Sequence, residues 1–83
     1  MAPGEASPVH RHDRDYLMVI VSGDRIAAHF DKESVGVYEE YAGRTYTGDV
    51  MPGSVKFGAK GSIEAAENIG TVEYLNYVIE FKS

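Results

Sequence analysis

Short β-type runs separated by glycine-containing turns make up most of the chain, and no segment carries a convincing helical period. The strongest run is 15–22, where Leu17, Met18, Val19, Ile20 and Val21 are apolar at every position. An unbroken apolar run of that length predicts a strand covered on both faces. Gly23-Asp24 then predicts a hairpin turn that returns the chain into a strand at 25–30. A polar loop follows at 31–34, with strands expected at 35–41 and 44–50 around an Ala42-Gly43 turn. Pro52-Gly53 is a strong turn signal. Beyond it the pattern predicts a short strand at 54–57, a loop at 58–61 and a strand at 62–67. Asn68-Ile69-Gly70 turns the chain into a last strand at 72–81, which alternates poorly, as a strand with both faces covered does. A short strand at 6–11 and a turn at Asp13-Arg14 complete the N-terminal side. Eight or so short strands without a helix predict an all-β domain: a jelly roll, a small barrel or an immunoglobulin-like sandwich.

Length and charge narrow what such a domain does. With 83 residues, the chain 1–83 is expected to be one domain. A domain of this size has a thin core, and thin cores are supported by disulfides, metals or partner subunits. The absence of cysteine removes disulfides and thiolate metal sites, leaving a metal or a second subunit. A net charge of −5 argues against nucleic acid, whose binding needs a basic face, and against an anionic membrane surface. No apolar run approaches a membrane span, and residues 1–8 lack the basic and apolar regions of a signal peptide. A cytoplasmic protein is the expectation.

The one cluster with evident chemistry is His10-Arg11-His12. Residues two apart on an extended chain share a face. Two neutral imidazoles on one face suit zinc, copper, iron or nickel. The plainer alternative is a surface His-x-His without a role. His29, alone on a strand, reads as a second base facing a pocket or as an ordinary half-buried histidine. Arg25, Lys56 and Lys60 read as surface charge more readily than as anion-binding groups.

Spacing adds a resemblance. Gly4, five residues, His10-x-His12, then Tyr16 and Gly23 resembles the first motif of the cupin family, with Tyr16 where the family carries glutamate. Gly53, Ala59, Gly61, Glu64 and Asn68 resemble the second motif in order and spacing, with Ala59 for proline and Glu64 for histidine. The resemblance runs from Gly4 to Asn68 and implies a cupin-type double-stranded β-helix, a jelly-roll barrel. It also implies a metal site made of His10, His12 and Glu64, with Tyr16 at the fourth position as a weak ligand, a hydrogen-bond donor or a general acid. A neutral phenol binds divalent metals poorly, and an aromatic packed beside Met18 and Ile20 is the plainer role for Tyr16. Asp15 falls on the opposite face from Tyr16.

Two imidazoles and one carboxylate resemble the facial triad of iron(II) oxygenases. The first functional expectation is therefore a metal-dependent enzyme acting on a small organic molecule, dioxygenase-like, with Tyr16 and Glu64 as catalytic residues. Its divalent metal would be iron, manganese, nickel, copper or zinc. The second is a non-catalytic module that holds a small ligand without metal. The third is a structural subunit with a closed pocket. In each case the thin core and the doubly apolar 17–21 run predict a homodimer.

Overall fold

The computed structural model describes residues 1–36 and 38–82. Among these residues seven strands form two antiparallel sheets. These are β1 (His10–Arg11), β2 (Tyr16–Ser22), β3 (Arg25–Phe30), β4 (Thr45–Asp49), β5 (Val55–Gly58), β6 (Ile63–Asn68) and β7 (Leu75–Glu80). One sheet has the order β1-β6-β3-β4 and the other β5-β2-β7. From β4 onward the chain changes sheet at every connection, so the two sheets wind together around one interior.

Gly23-Asp24 does not make the expected hairpin: it carries the chain from β2 in one sheet to β3 in the other. The turn is held by a polar clasp. Asp24 accepts hydrogen bonds from the Thr71 N–H at 2.9 Å and the Thr71 hydroxyl at 2.6 Å. These bonds to Thr71 hold the Asp24 carboxyl below its ordinary range. Gly23 sits at φ +133°, where a Cβ would meet the Tyr74 ring at 2.8 Å. Local turn chemistry suits a sharp corner of either kind, and only the distant partners Thr71 and Tyr74 select the crossing.

The expected strand at 35–41 is also corrected. Val37 lies outside the described residues, and Glu39–Tyr41 forms one 3-10 turn. Successive bonds from the Tyr41 N–H to the Tyr38 carbonyl and from the Ala42 N–H to the Glu39 carbonyl tighten this segment. Tyr38 and Tyr41 pack with Phe30 and Tyr46 at ring-centroid distances of 5.3–6.3 Å. The β propensity of Val and Tyr yields here to aromatic packing, a tertiary effect that local preference does not carry.

The first strand is shorter than expected, but the whole N-terminal arm lies along β6. The Gly4 N–H donates to the Asn68 carbonyl at 2.8 Å and the Ser7 N–H to the Ala66 carbonyl at 2.8 Å, with a bridge between Ala6 and Glu67. Asn68, fully buried, fastens this arm. Its amide donates to the carbonyls of Met1 (3.0 Å) and Val72 (2.9 Å), and its Oδ1 accepts the Gly70 N–H at 3.0 Å.

Alternation on β2 sends Tyr16 and Ile20 into the interior, where with Phe30 and Tyr74 they form a small core, while Ala27 is buried on the opposite face of β3. The other face of the β5-β2-β7 sheet is uncovered in the single chain, against the expectation that 15–22 and 72–81 are covered on both sides; Val21 and Ile79 are among its exposed residues. No helix among the described residues is long and apolar enough to cross a membrane.

Replacing Asn68 with Ala strands the Gly70 N–H and two carbonyls in a closed environment. A loss of about 2–3 kcal/mol is expected for such a buried network. In a domain of this size that lowers Tm by on the order of 10–20 °C, which a thermal melt followed by circular dichroism measures.

Candidate metal centre

Strand register builds the site. In the β1–β6 ladder His10 pairs directly with Glu64, so their side chains share the inner face. The pairing continues past β1, because the His12 N–H donates to the Ser62 carbonyl at 3.0 Å and the Gly61 N–H donates to the His12 carbonyl at 2.7 Å. His12, two residues from His10, therefore turns to the same side. One nitrogen of each imidazole and one Glu64 oxygen lie within 4.8 Å of one another. Glu64 thus meets the histidines from the neighbouring strand of the same sheet, and not across the barrel mouth.

The side chains are held in place from behind. The His10 Nδ1 lies 3.0 Å from the Pro8 carbonyl, which only accepts, so Nδ1 carries the proton and Nε2 is left as a free donor atom. His12 is buried and stacks on Tyr16 with ring centroids 4.1 Å apart and planes at 23°. Tyr16 is seated over its cross-strand partner Gly58, where a Cβ would overlap the ring. A glycine in that strand is what lets the Tyr16 ring lie flat beneath His12.

Burial sets the electrostatics. It lowers the His12 pKa from 6.5, aided by His10, and keeps the imidazole neutral at pH 7. It raises the Glu64 carboxyl above 4.5, opposed by His10. The His12 Nε2 lies 3.7 Å from Glu64 Oε1, so the Glu64 carboxyl sits beside an imidazole that burial keeps neutral. Burial likewise raises the Tyr16 hydroxyl above 10, which keeps it a neutral phenol. Tyr16 is thereby suited to donate a hydrogen bond and poorly suited to ligate as phenolate. Ser62 Oγ, buried beside them, has no hydrogen-bond partner among the described residues.

The trio opens on a cavity of about 380 Å³ inside the barrel. Its walls are mainly apolar and aromatic, with Met18, Ile26, Phe30, Tyr38 and Tyr46 prominent, and Tyr74 and Asn76 supply polar atoms. The Asn76 amide donates to the Tyr74 hydroxyl at 2.7 Å. Tyr38, Tyr46, Tyr74, Asn76 and Met1 line the cavity without having been expected there from the sequence. For Tyr46 and Asn76 the signal was alternation within a strand, which becomes readable only once the inner face is known.

Other candidates fall elsewhere. His29 lies on the exposed outer face of β3, its Nδ1 2.8 Å from Thr45 Oγ1 and its Nε2 2.9 Å from Glu67 Oε1. Arg25 pairs with Asp49 at 3.0 Å on the surface. Asp15 is exposed and accepts the Lys60 N–H at 2.9 Å. Lys56 borders the cavity, with its side chain exposed.

The crystal structure of a cupin domain from Bordetella pertussis Tohama I superposes on this chain with a TM-score of 0.80. The match covers 100% of this chain and 75% of that one at 19% identity. The chain has the cupin fold. No protein-family model and no curated protein matches the sequence. The fold agreement accounts for the interleaved sheets and for a cavity walled by both.

The raised Glu64 pKa has a definite sign. The folded chain holds this proton more tightly than the unfolded chain, so the ionised carboxylate destabilises the fold. That penalty is absent below about pH 4.5, grows as pH rises through the raised value, and is complete above it. Metal-free Glu64→Gln is therefore expected to melt higher than the wild type at pH 7, with the difference closing below about pH 4.5. Paired melts across that range check it, and a Gln variant that melts lower at pH 7 refutes it.

Proposed function

We propose that this cupin-fold chain binds one divalent metal through His10, His12 and Glu64 and acts on a small organic molecule in the adjoining cavity, with dioxygenase-like chemistry. The observation that carries the proposal is the convergence of two imidazoles and a carboxylate within 4.8 Å at the cavity wall. The fit to a metal is geometric as well as chemical. Ligand atoms about 2.1 Å from a shared ion lie roughly 3–3.5 Å apart. The His12–Glu64 distance of 3.7 Å is already close to that, and small side-chain rotations close the rest. The mixed imidazole and carboxylate set suits iron, manganese, nickel, copper or zinc.

A metal held there would polarise a substrate oxygen. The chain's own residues do the remaining work. His10 is oriented by the Pro8 carbonyl, and His12 is kept neutral and ready to ligate by burial. Glu64 supplies the negative charge that offsets the cation. Tyr16, a protonated phenol beside His12, donates a hydrogen bond to a substrate oxygen and serves as general acid. The apolar walls exclude water and favour a substrate with an apolar or aromatic body. The absence of cysteine suits a reducing compartment, and we propose a cytoplasmic location.

A second reading is a binding module without metal or turnover. Its support is the presence of Tyr16 and Glu64 at two positions where the cupin motifs carry other ligands.

Elemental analysis separates the two. Protein purified without added metal, or reloaded after chelation, is expected to hold about one transition metal per chain. His12→Ala is expected to lower that content at least tenfold while keeping the β-rich circular dichroism spectrum. Wild-type protein that stays metal-free after loading with each of the five ions overturns the metal reading.

A further inference from the structure

The two sheets present opposite kinds of surface to solvent. On the β1-β6-β3-β4 sheet the outward positions carry ion pairs and hydrogen bonds, Arg25 with Asp49 and His29 with Glu67 and Thr45. On the β5-β2-β7 sheet the outward positions form an apolar grid. Strand register places Val55, Val19 and Tyr77 side by side in one row, and Phe57, Leu17 and Ile79 in the next. Val55 is 58% exposed, Tyr77 62%, Phe57 52% and Ile79 52%. None of these six positions is charged, in a chain of net charge −5.

We propose that this face is the interface of a homodimer, with the β5-β2-β7 sheets of two copies packed face to face. The first argument is area. With Val21 and Phe81 at its ends, the grid exposes roughly 600 Å², as much as the largest patch a typical monomer shows. A standard interface takes about 800 Å² from each partner, so the grid and a polar rim together supply what a stable dimer needs. The second argument is shape and symmetry. A two-fold contact needs a self-complementary surface, and two sheets of branched and aromatic side chains interdigitate as the inner faces of a sandwich do.

The third argument is the rim. Beside Phe57 and Phe81 lie Asp13, Arg14, Asp15, Lys60 and Lys82, both signs together. A two-fold axis can set basic against acidic groups there, whereas an anionic membrane would face the carboxylates and the negative net charge. Covering Leu17 and Val19 from outside also buttresses the strand whose inner residues Tyr16 and Met18 wall the cavity. The interface would therefore stiffen the candidate site without adding a residue to it.

Sedimentation analysis at about 10–100 μM tests the proposal directly. The wild-type chain of 9.1 kDa is expected to run as a species of twice that mass. Val55→Lys with Tyr77→Lys, both on exposed positions that a monomer would tolerate, is expected to give a folded monomer with at least a hundredfold weaker association. Thr47→Lys on the opposite sheet is expected to leave the dimer intact. A wild-type chain that remains monomeric up to about 1 mM overturns the proposal. So does a dimer that survives the double substitution, or one that Thr47→Lys dissociates. The double variant's circular dichroism spectrum distinguishes dissociation from failure to fold.

Discussion

The pairing of the N-terminal arm with β6 is the constraint on which the interior depends. Backbone bonds run from Gly4 and Glu5 against Asn68, through Ser7 against Ala66, to His12 against Ser62. The buried Asn68 amide ties one end of that ladder to Met1 and to Val72 beyond β6. Side-chain direction in a strand has period two, so a slip of one residue in the arm would turn His10 and His12 outward and part them from Glu64, whose strand is held in register by β3. The same ladder that closes the fold thus decides which three donor groups meet at the cavity.

What they meet in is a space with little polar relief. Burial pushes His12 and Glu64 each toward its neutral form, and for Glu64 this opposes the state a ligand needs. A carboxylate held in such a place destabilises the empty fold and gains most from a cation beside it. That tension between stability and site chemistry is common where a protein binds charge in its interior. Tyr16 extends it, because stacking on His12 and seating over Gly58 leave its hydroxyl buried and protonated.

The core itself is small, with Tyr16, Ile20, Phe30 and Tyr74 its buried apolar members, while much of the interior is cavity. A fold that keeps its centre open has less apolar burial available for stability. Its uncovered apolar sheet and its charge-paired opposite sheet are the natural place to look for the compensation, and both follow from which face each alternating residue was assigned.

The sequence alone determined the all-β class, most strand positions and the paired histidines. These rest on local chemistry: alternation, branched and aromatic residues, and turn residues at Gly23, Pro52-Gly53 and Gly70. The resemblance to the cupin motifs added Glu64 to His10 and His12, and implied the barrel fold with it. Tertiary structure decided whatever depended on distant partners. Gly23-Asp24 became a crossing between sheets because Thr71 and Tyr74 pack against it, and Glu39–Tyr41 became a 3-10 turn because Phe30 and Tyr46 receive the rings of Tyr38 and Tyr41. His29 went outward and Tyr46 inward for a reason of the same kind. A strand pattern states that neighbours face opposite ways, but only the assembled barrel says which way is in.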